Sequence, residues 1–133
     1  MDFPLGSLHK FALQAAEAAN CAGEQGKYWE MHDRLYANQR ALDSWQDHAQ
    51  AVGLDLAAFQ ECMKSGRQQA EIRRDMAEGQ KAGVTGTPAF FLAYTDPKST
   101  QVKAAVRLTG AQPFSTFKAA IDKLLSEQAL AAK

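Results

Sequence analysis

The run Gly83-Val84-Thr85-Gly86-Thr87-Pro88 places a threonine and a proline directly before the apolar segment Ala89-Phe90-Phe91-Leu92. Proline cannot donate a hydrogen bond to a sheet ladder and is normally confined to sheet edges, bulges or strand starts. Because the two glycines let the backbone bend sharply, the Thr87–Pro88 bond is a candidate for the cis form, which would leave neighbouring backbone groups free to bind an extended peptide. The alternative is a trans proline that begins a strand.

The chain has two cysteines, Cys21 and Cys62, and their spacing is too long for a Cys-x-x-Cys redox pair. Thiol–disulfide exchange needs a nucleophilic cysteine of low pKa at a helix N-terminus and a second cysteine that resolves the mixed disulfide. Neither cysteine fits that position, and no Cys/His spacing matches a zinc site. The sequence therefore predicts no catalytic residue, no metal and no cofactor.

The histidines are expected to be packed or capping side chains on helices, because no nucleophile or carboxylate converges on them in the sequence. They are His9, His32 and His48. A group of aromatic residues either packs in the core or lines a peptide groove, and its helical spacing favours the core. This group consists of Tyr28, Trp29 and Tyr36.

Five helices are predicted before any strand. The first, from about Ser7 to Ala22, is rich in alanine, with Ser7 as its cap and Gly23 as its end. The apolar face of the second predicts deep burial. Caps and glycines bound the other four, which run from Tyr28 to about Asn38, from Ser44 to Gly53, from Asp55 to Gly66, and from Arg67 to about Ala82 before Gly83.

The pattern then changes to that of a β-hairpin and a final helix. Ala89–Tyr94 predicts one strand, Thr95–Ser99 a turn, and Val102–Leu108 the returning strand. From Pro113 onward, apolar residues recur at the spacing of an amphipathic helix. They are Phe114, Phe117, Ile121, Leu124 and Leu125.

Composition favours one globular domain, since the chain has 133 residues and is 46 % apolar. Fifteen basic and fifteen acidic side chains cancel, so no long-range field attracts nucleic acid or an anionic membrane. No stretch approaches the roughly 18 apolar residues that span a bilayer, and the first six residues do not read as a secretory signal. We therefore expect a soluble chain with neither nucleic acid nor membrane as a partner.

Several short sequence motifs occur in a specific order along the chain. They are Phe3-Pro4-Leu5 followed by His9, the alanine-rich run at 15–21, Gly26-Lys27-Tyr28-Trp29-Glu30-Met31-His32-Asp33, Gly53-Leu54-Asp55, and the Val-x-Gly-Thr-Pro loop. This order resembles the DsbA-like family of thioredoxin-fold oxidoreductases, over essentially the whole chain. The resemblance implies that the substrate-facing loop consists of Val84, Thr85, Gly86, Thr87 and Pro88.

The resemblance implies an α/β chain with an incomplete thioredoxin-like fold, mostly helical, in one partial domain that spans 1–133. A helical insertion would occupy 7–82, and the loop, hairpin and terminal helix would occupy 83–133. In that family, two strands and the Cys-x-x-Cys precede the segment that matches Phe3-Pro4-Leu5, and they are missing here. The resemblance further implies a periplasmic location and a structural disulfide between Cys21 and Cys62; two buried free thiols are the alternative.

Two functions are consistent with these features. The chain is either part of a protein disulfide oxidoreductase whose intact form acts on cysteine-containing polypeptides, or a catalytically inactive thioredoxin-like module for peptide binding or assembly. In both cases a sheet without its central strands would expose the hairpin at 89–108 and the inner face of the helix at 113–131. We therefore expect a homodimer or a higher assembly.

Overall fold

A computed structural model describes residues 1–95 and 104–131 of the chain. Within these residues the fold is mostly helical, with six α-helices, one short 3-10 helix and a two-stranded antiparallel sheet. This agrees with the predicted α/β, thioredoxin-like class with high helical content. The chain divides into two compact units, Met1–Gly83 and Val84–Lys133.

The first unit contains five α-helices. They are α1 (Ala12–Gly23), α2 (Tyr28–Ala37), α3 (Trp45–Ala51), α4 (Leu56–Ser65) and α5 (Gln69–Lys81), with a 3-10 helix at Gln39–Ala41 between α2 and α3.

Local signals set most of the helix ends in this unit. Asp55 caps α4, because its Oδ1 accepts a hydrogen bond from the Ala58 N–H at 2.9 Å. Gly66 ends α4 in the left-handed conformation, with a φ of 62°, and Gly83 follows α5 with a φ of 77°. These ends agree with the predicted caps and glycines.

The start of α1 differs from the prediction. The helix begins at Ala12, five residues after the expected cap Ser7, and Phe11 stands at the N-cap position without a side-chain hydrogen bond. The Leu5 carbonyl oxygen accepts hydrogen bonds from both the Leu8 and the His9 N–H groups, at 2.9 Å each. Residues 5–9 therefore form a separate turn, which the alanine-rich composition did not reveal.

The core of the first unit lies where α1 packs against α2 and α4. Ala18 and Ala22 of α1 are completely buried and let the neighbouring helices approach closely. Phe59 is the largest fully buried side chain. The buried cluster consists of Ala18, Ala19, Cys21, Ala22, Met31, Leu35, Ala49, Leu54, Phe59 and Cys62.

Of the three aromatic residues of α2, Tyr28 is partly buried and packs against this core, as the helical spacing favoured, but Trp29 and Tyr36 do not. Trp29 and Tyr36 are each 68 % exposed, whereas Met31 and Leu35 are buried. Residues 31 and 35 share the inner face of the helix, and residues 29, 32 and 36 form a different stripe at spacings of three and four. The expectations of deep burial for α2 and of core packing for Trp29 and Tyr36 were therefore wrong.

The second unit consists of β1 (Ala89–Ala93), β2 (Ala104–Thr109) and α6 (Phe114–Ala131). The strands pair antiparallel, with Ala89 opposite Thr109, and a bulge interrupts the register at Leu92/Ala93. Helix α6 packs on the hairpin: the rings of Phe90 and Phe117 meet edge to face at 4.9 Å, and the Tyr94 hydroxyl donates to the Leu124 carbonyl oxygen. The predicted hairpin and terminal helix are both present. The predicted turn residues 96–99 and the strand start at Val102 lie outside the described residues.

Part of the apolar face of α6 is exposed. Leu124 is buried, but Phe114, Ile121 and Leu125 are exposed to solvent. No helix within residues 1–95 and 104–131 is both long and apolar enough to cross a membrane.

Candidate functional site

The loop Val84–Pro88 connects α5 to β1 and is the candidate site. Gly83, directly before it, has a φ of 77°, a left-handed conformation that favours glycine, and its N–H donates to the Gln80 carbonyl oxygen at 2.9 Å. Gly86 has no positive φ, and a Cβ added there would contact nothing within 4 Å. Of the two glycines expected to bend the chain, Gly83 therefore has a backbone conformation that favours glycine, and Gly86 does not.

The Thr87–Pro88 peptide bond is cis, the form for which the sequence made it a candidate. The Pro88 carbonyl oxygen accepts a hydrogen bond from the Gly110 N–H at 2.8 Å, which continues the β1–β2 ladder by one pair. Thr85, Thr87 and Pro88 are exposed to solvent, whereas Val84 is buried. The loop thus presents two threonines and a proline beside the start of a strand.

The backbone of this loop has unused hydrogen-bonding groups. Among the described residues, the N–H and C=O groups of Thr85, Gly86 and Thr87 take part in no hydrogen bond. Exposed backbone groups of this kind can bind an extended polypeptide as a further strand would be bound. The groups that this loop offers are therefore main-chain hydrogen-bond donors and acceptors.

The two cysteines form a disulfide, the pairing that the resemblance implied. It joins α1 to α4 across 41 residues of sequence. Each cysteine is 1 % exposed and belongs to the buried core of the first unit. Thiol–disulfide exchange requires a thiolate to reach a sulfur atom, and this burial shields both sulfur atoms from solvent.

His32 and His48 lie on helices, as expected, but His9 lies before α1 and is exposed, so its predicted helical position was wrong. His48 is 2 % exposed, and its Nε2 lies 2.8 Å from the Ala41 carbonyl oxygen. The Nδ1 of His32 lies 2.9 Å from Asp33 Oδ1, and its ring lies 4.7 Å from that of Tyr36. Across residues 1–95 and 104–131, no group of three or more His, Cys, Asp or Glu side chains is placed to hold a metal ion.

One ion pair holds the end of α1 to the turn between α4 and α5. The Arg67 guanidinium donates from Nε and Nη2 to the two carboxylate oxygens of Glu24, at 2.8 and 2.5 Å. This hydrogen bonding lowers the pKa of Glu24, with a smaller contribution from Gln68, and raises the pKa of Arg67. The pair is exposed and has a structural role.

The first unit also has an open groove of about 380 Å³. Its lining comes from the N-terminal segment, α1 and α5, and consists of Phe3, Pro4, Leu5, Gly6, Ser7, Leu13, Met76 and Gln80. None of these lining residues carries a charge, and the polar side chains among them are Ser7 and Gln80.

The structure places on the surface two aromatic residues, Trp29 and Tyr36, for which the sequence favoured the core over a peptide groove. Trp29, His32 and Tyr36 form an aromatic stripe on α2, with ring separations of 5.2 Å between Trp29 and His32 and 4.7 Å between His32 and Tyr36. The signal was present in the sequence, because these residues are offset around the helix from Met31 and Leu35.

Comparison with known proteins gives similarity to several curated sequences. The chain is 41 % identical over 92 residues to the "Na(+)/H(+) antiporter NhaA 3" of Salinispora tropica, and 41 % identical over 91 residues to the "Na(+)/H(+) antiporter NhaA 1" of Salinispora arenicola. It is 33 % identical over 95 residues to the "Na(+)/H(+) antiporter NhaA 1" of a Mycobacterium species. These alignments cover 67–68 % of this chain but only 14–15 % of each relative. No solved structure gives a significant match.

The family comparison covers nearly the whole chain. The model of the DSBA-like thioredoxin domain matches residues 2–122, which include all five helices of the first unit, the loop, the hairpin and part of α6. The chain therefore belongs to the DSBA-like thioredoxin domain family.

Proposed function

We propose that this chain is the polypeptide-contacting part of a DsbA-like protein disulfide oxidoreductase, and that the loop Val84–Pro88 binds cysteine-containing substrates. The observation that carries this proposal is the exposed run Thr85–Thr87, whose backbone N–H and C=O groups have no hydrogen-bond partner among the described residues. An unfolded substrate has free backbone groups of its own and binds such a run without a particular side-chain sequence.

The proposal assigns thiol exchange to cysteines outside this sequence. Cys21 and Cys62 are bonded to each other and buried, which supports a structural role for both. The redox pair of the parent protein would then be a Cys-x-x-Cys that this chain does not include. Reading the genomic DNA upstream of the Met1 codon tests this point, because an in-frame Cys-x-x-Cys is expected there and its absence would contradict the proposal.

A second candidate is a catalytically inactive module that binds peptides or assembles with another protein. The burial of the chain's own cysteines favours it, as does the similarity to proteins named Na⁺/H⁺ antiporters, of which this domain covers a small part. Both candidates predict no insulin reduction by this chain alone. The upstream DNA distinguishes the two candidates, because an inactive module needs no redox cysteines in the same reading frame.

We also propose an extracytoplasmic location, because a structural disulfide persists in an oxidising compartment. When the native host is fractionated and the chain is recovered without reductant, mass spectrometry is expected to find it outside the cytoplasm with Cys21 and Cys62 joined. Two free thiols in that sample would contradict the location.

Calorimetric titration with insulin B chain, its cysteines blocked by carboxamidomethylation, tests the loop. Thr87→Arg places a long charged side chain on the exposed loop and is expected to weaken binding at least about fivefold. Ala119→Arg is the matched control, since residue 119 is exposed on α6, and binding should stay within about twofold of wild type. Equal affinity of the Thr87 variant and wild type would contradict the assignment of the loop.

A further inference from the structure

The candidate loop joins the sheet through a backbone pair that can form a single hydrogen bond. Because Ala89 pairs with Thr109, the next pair toward the loop consists of Pro88 and Gly110. The Gly110 N–H donates to the Pro88 carbonyl oxygen at 2.8 Å. A hydrogen-bonded antiparallel pair normally exchanges two such bonds, but proline has no N–H with which to donate the second. The Gly110 N–H therefore supplies the hydrogen bond that holds the end of the loop to β2.

The Gly110 carbonyl oxygen, which proline cannot serve, is used inside a turn. It accepts a hydrogen bond from the Gln112 N–H at 3.0 Å. The Gln112 side chain also donates from Nε2 to the Thr109 carbonyl oxygen at 2.8 Å. Pro113 follows directly and restricts the residue before it to extended conformations. Residues 109–112, called the 109–112 turn below, are thus held by two hydrogen bonds from one glutamine.

The backbone of Gly110 has a conformation that few other residues adopt. Its φ is 79°, in the left-handed region that favours glycine. Apart from its chain neighbours, a Cβ built there would meet Gln112 Nε2 alone within 4 Å, at 3.9 Å. Space for a side chain is therefore available, and the backbone conformation is the constraint. A residue that cannot keep this conformation would move the N–H away from Pro88.

We propose that the 109–112 turn positions the candidate loop for polypeptide, with Gly110 and Gln112 as the positioning residues. This inference rests on the proposed function, because it concerns how the free backbone groups at 85–87 are aimed. One end of the loop is anchored by the buried Val84, and the other end by the hydrogen bond to Pro88. Hydrogen bonds weaken steeply outside a narrow range of distance and angle, so displacement of the Pro88 end should lower affinity for polypeptide.

Two substitutions of Gly110 form the first test. Asparagine is among the side chains best tolerated at positive φ, whereas a β-branched valine is strongly disfavoured there. By calorimetric titration with carboxamidomethylated insulin B chain, Gly110→Asn should bind within about twofold of wild type and Gly110→Val at least about fivefold more weakly. Circular dichroism checks that both variants are folded. Wild-type affinity in Gly110→Val would overturn the proposal, as would equal losses in both variants.

Gln112→Ala is the second test, and it does not disturb the core. Residue 112 is exposed, so the substitution leaves no cavity and removes the hydrogen bond to the Thr109 carbonyl oxygen. It is expected to weaken peptide binding about threefold. Gln128→Ala is the matched control, the same substitution at an exposed position on α6, and should leave the affinity unchanged. Equal affinities of these two variants would contradict a positioning role for Gln112.

The loop amides of the peptide-free protein distinguish this proposal from the proposed function. In ¹⁵N-labelled samples, the amides at 85–87 should shift in Gly110→Val and stay close to their wild-type positions in Gly110→Asn. Unchanged amides in a folded Gly110→Val variant would overturn the positioning role even where the loop binds peptide. If the amides shift as expected but wild type binds no peptide, the turn positions the loop and the proposed function alone fails.

Discussion

Cys21, in the last turn of α1, is joined by a disulfide to Cys62 of α4, and both side chains lie in the core of the first unit. Two further contacts hold the same two segments. Gln25 exchanges hydrogen bonds with the Asp55 backbone at the start of α4, and Glu24 binds Arg67 just beyond its end. The end of α1 is thus attached along the full length of α4.

Removal of the disulfide should destabilise the chain strongly. The bond closes a loop with a sequence separation of 41 residues, and its loss restores that conformational entropy to the unfolded state. The double variant Cys21→Ala/Cys62→Ala is expected to lower the free energy of unfolding by about 4 kcal/mol, measured by urea titration. A loss below about 1 kcal/mol would contradict a structural role for the pair.

Buried and exposed aromatic residues should differ sharply in their contribution to stability. Phe59 is 1 % exposed in the core, so Phe59→Ala should cost about 3–5 kcal/mol through lost burial and a cavity. Trp29→Ala on the exposed stripe should change the free energy of unfolding by less than about 1 kcal/mol. Urea titration of both variants is the measurement, and similar losses would contradict the described burial.

The two predicted helix caps should also behave differently. Asp55 accepts a hydrogen bond from the Ala58 N–H, whereas Ser44, at the start of α3, makes no side-chain cap bond. Asp55→Ala is therefore expected to lower the free energy of unfolding by about 1 kcal/mol, and Ser44→Ala by a few tenths at most. Thermal unfolding of the two variants shows which one loses more stability. A larger loss from Ser44→Ala would show that the cap assignment is wrong.

The Glu24–Arg67 pair predicts a pH dependence of stability. Hydrogen bonds from Arg67 lower the pKa of Glu24 below its ordinary 4.5 in the folded chain. The carboxylate therefore stabilises the fold fully above pH 4.5, and this stabilisation is lost as the pH falls through the lower folded-state pKa. Glu24→Gln should have a modestly lower urea midpoint than wild type at pH 7, and the difference should shrink in acid. A difference that stays constant down to pH 3 would contradict the assigned cause.

Local signals in the sequence predicted much of the fold. Asp55, Gly66 and Gly83 mark helix ends through interactions with their nearest neighbours, so no knowledge of the packed chain was needed. The change from helical to strand-like spacing at Ala89 likewise gave the hairpin. The disulfide came from the family resemblance and not from the spacing of the cysteines.

Features that depend on packing were not predictable in the same way. The turn that the Leu5 carbonyl closes lies where the helix was expected to begin, α1 starts only at Ala12, and no composition rule reveals that turn. The direction in which Trp29 and Tyr36 point depends on which face of α2 meets α1. The free backbone groups of Thr85–Thr87 are a property of the folded loop, although the residues themselves were found from the sequence.

The central claim, that the loop binds polypeptide through its backbone, is tested most directly by nuclear magnetic resonance. A ¹⁵N-labelled sample is titrated with carboxamidomethylated insulin B chain, and each backbone amide is followed. We expect the largest shift changes at the amides of Thr85, Gly86, Thr87 and Ala89. Binding that leaves these amides unchanged, with the changes gathered instead at Trp29, His32 and Tyr36, would contradict it.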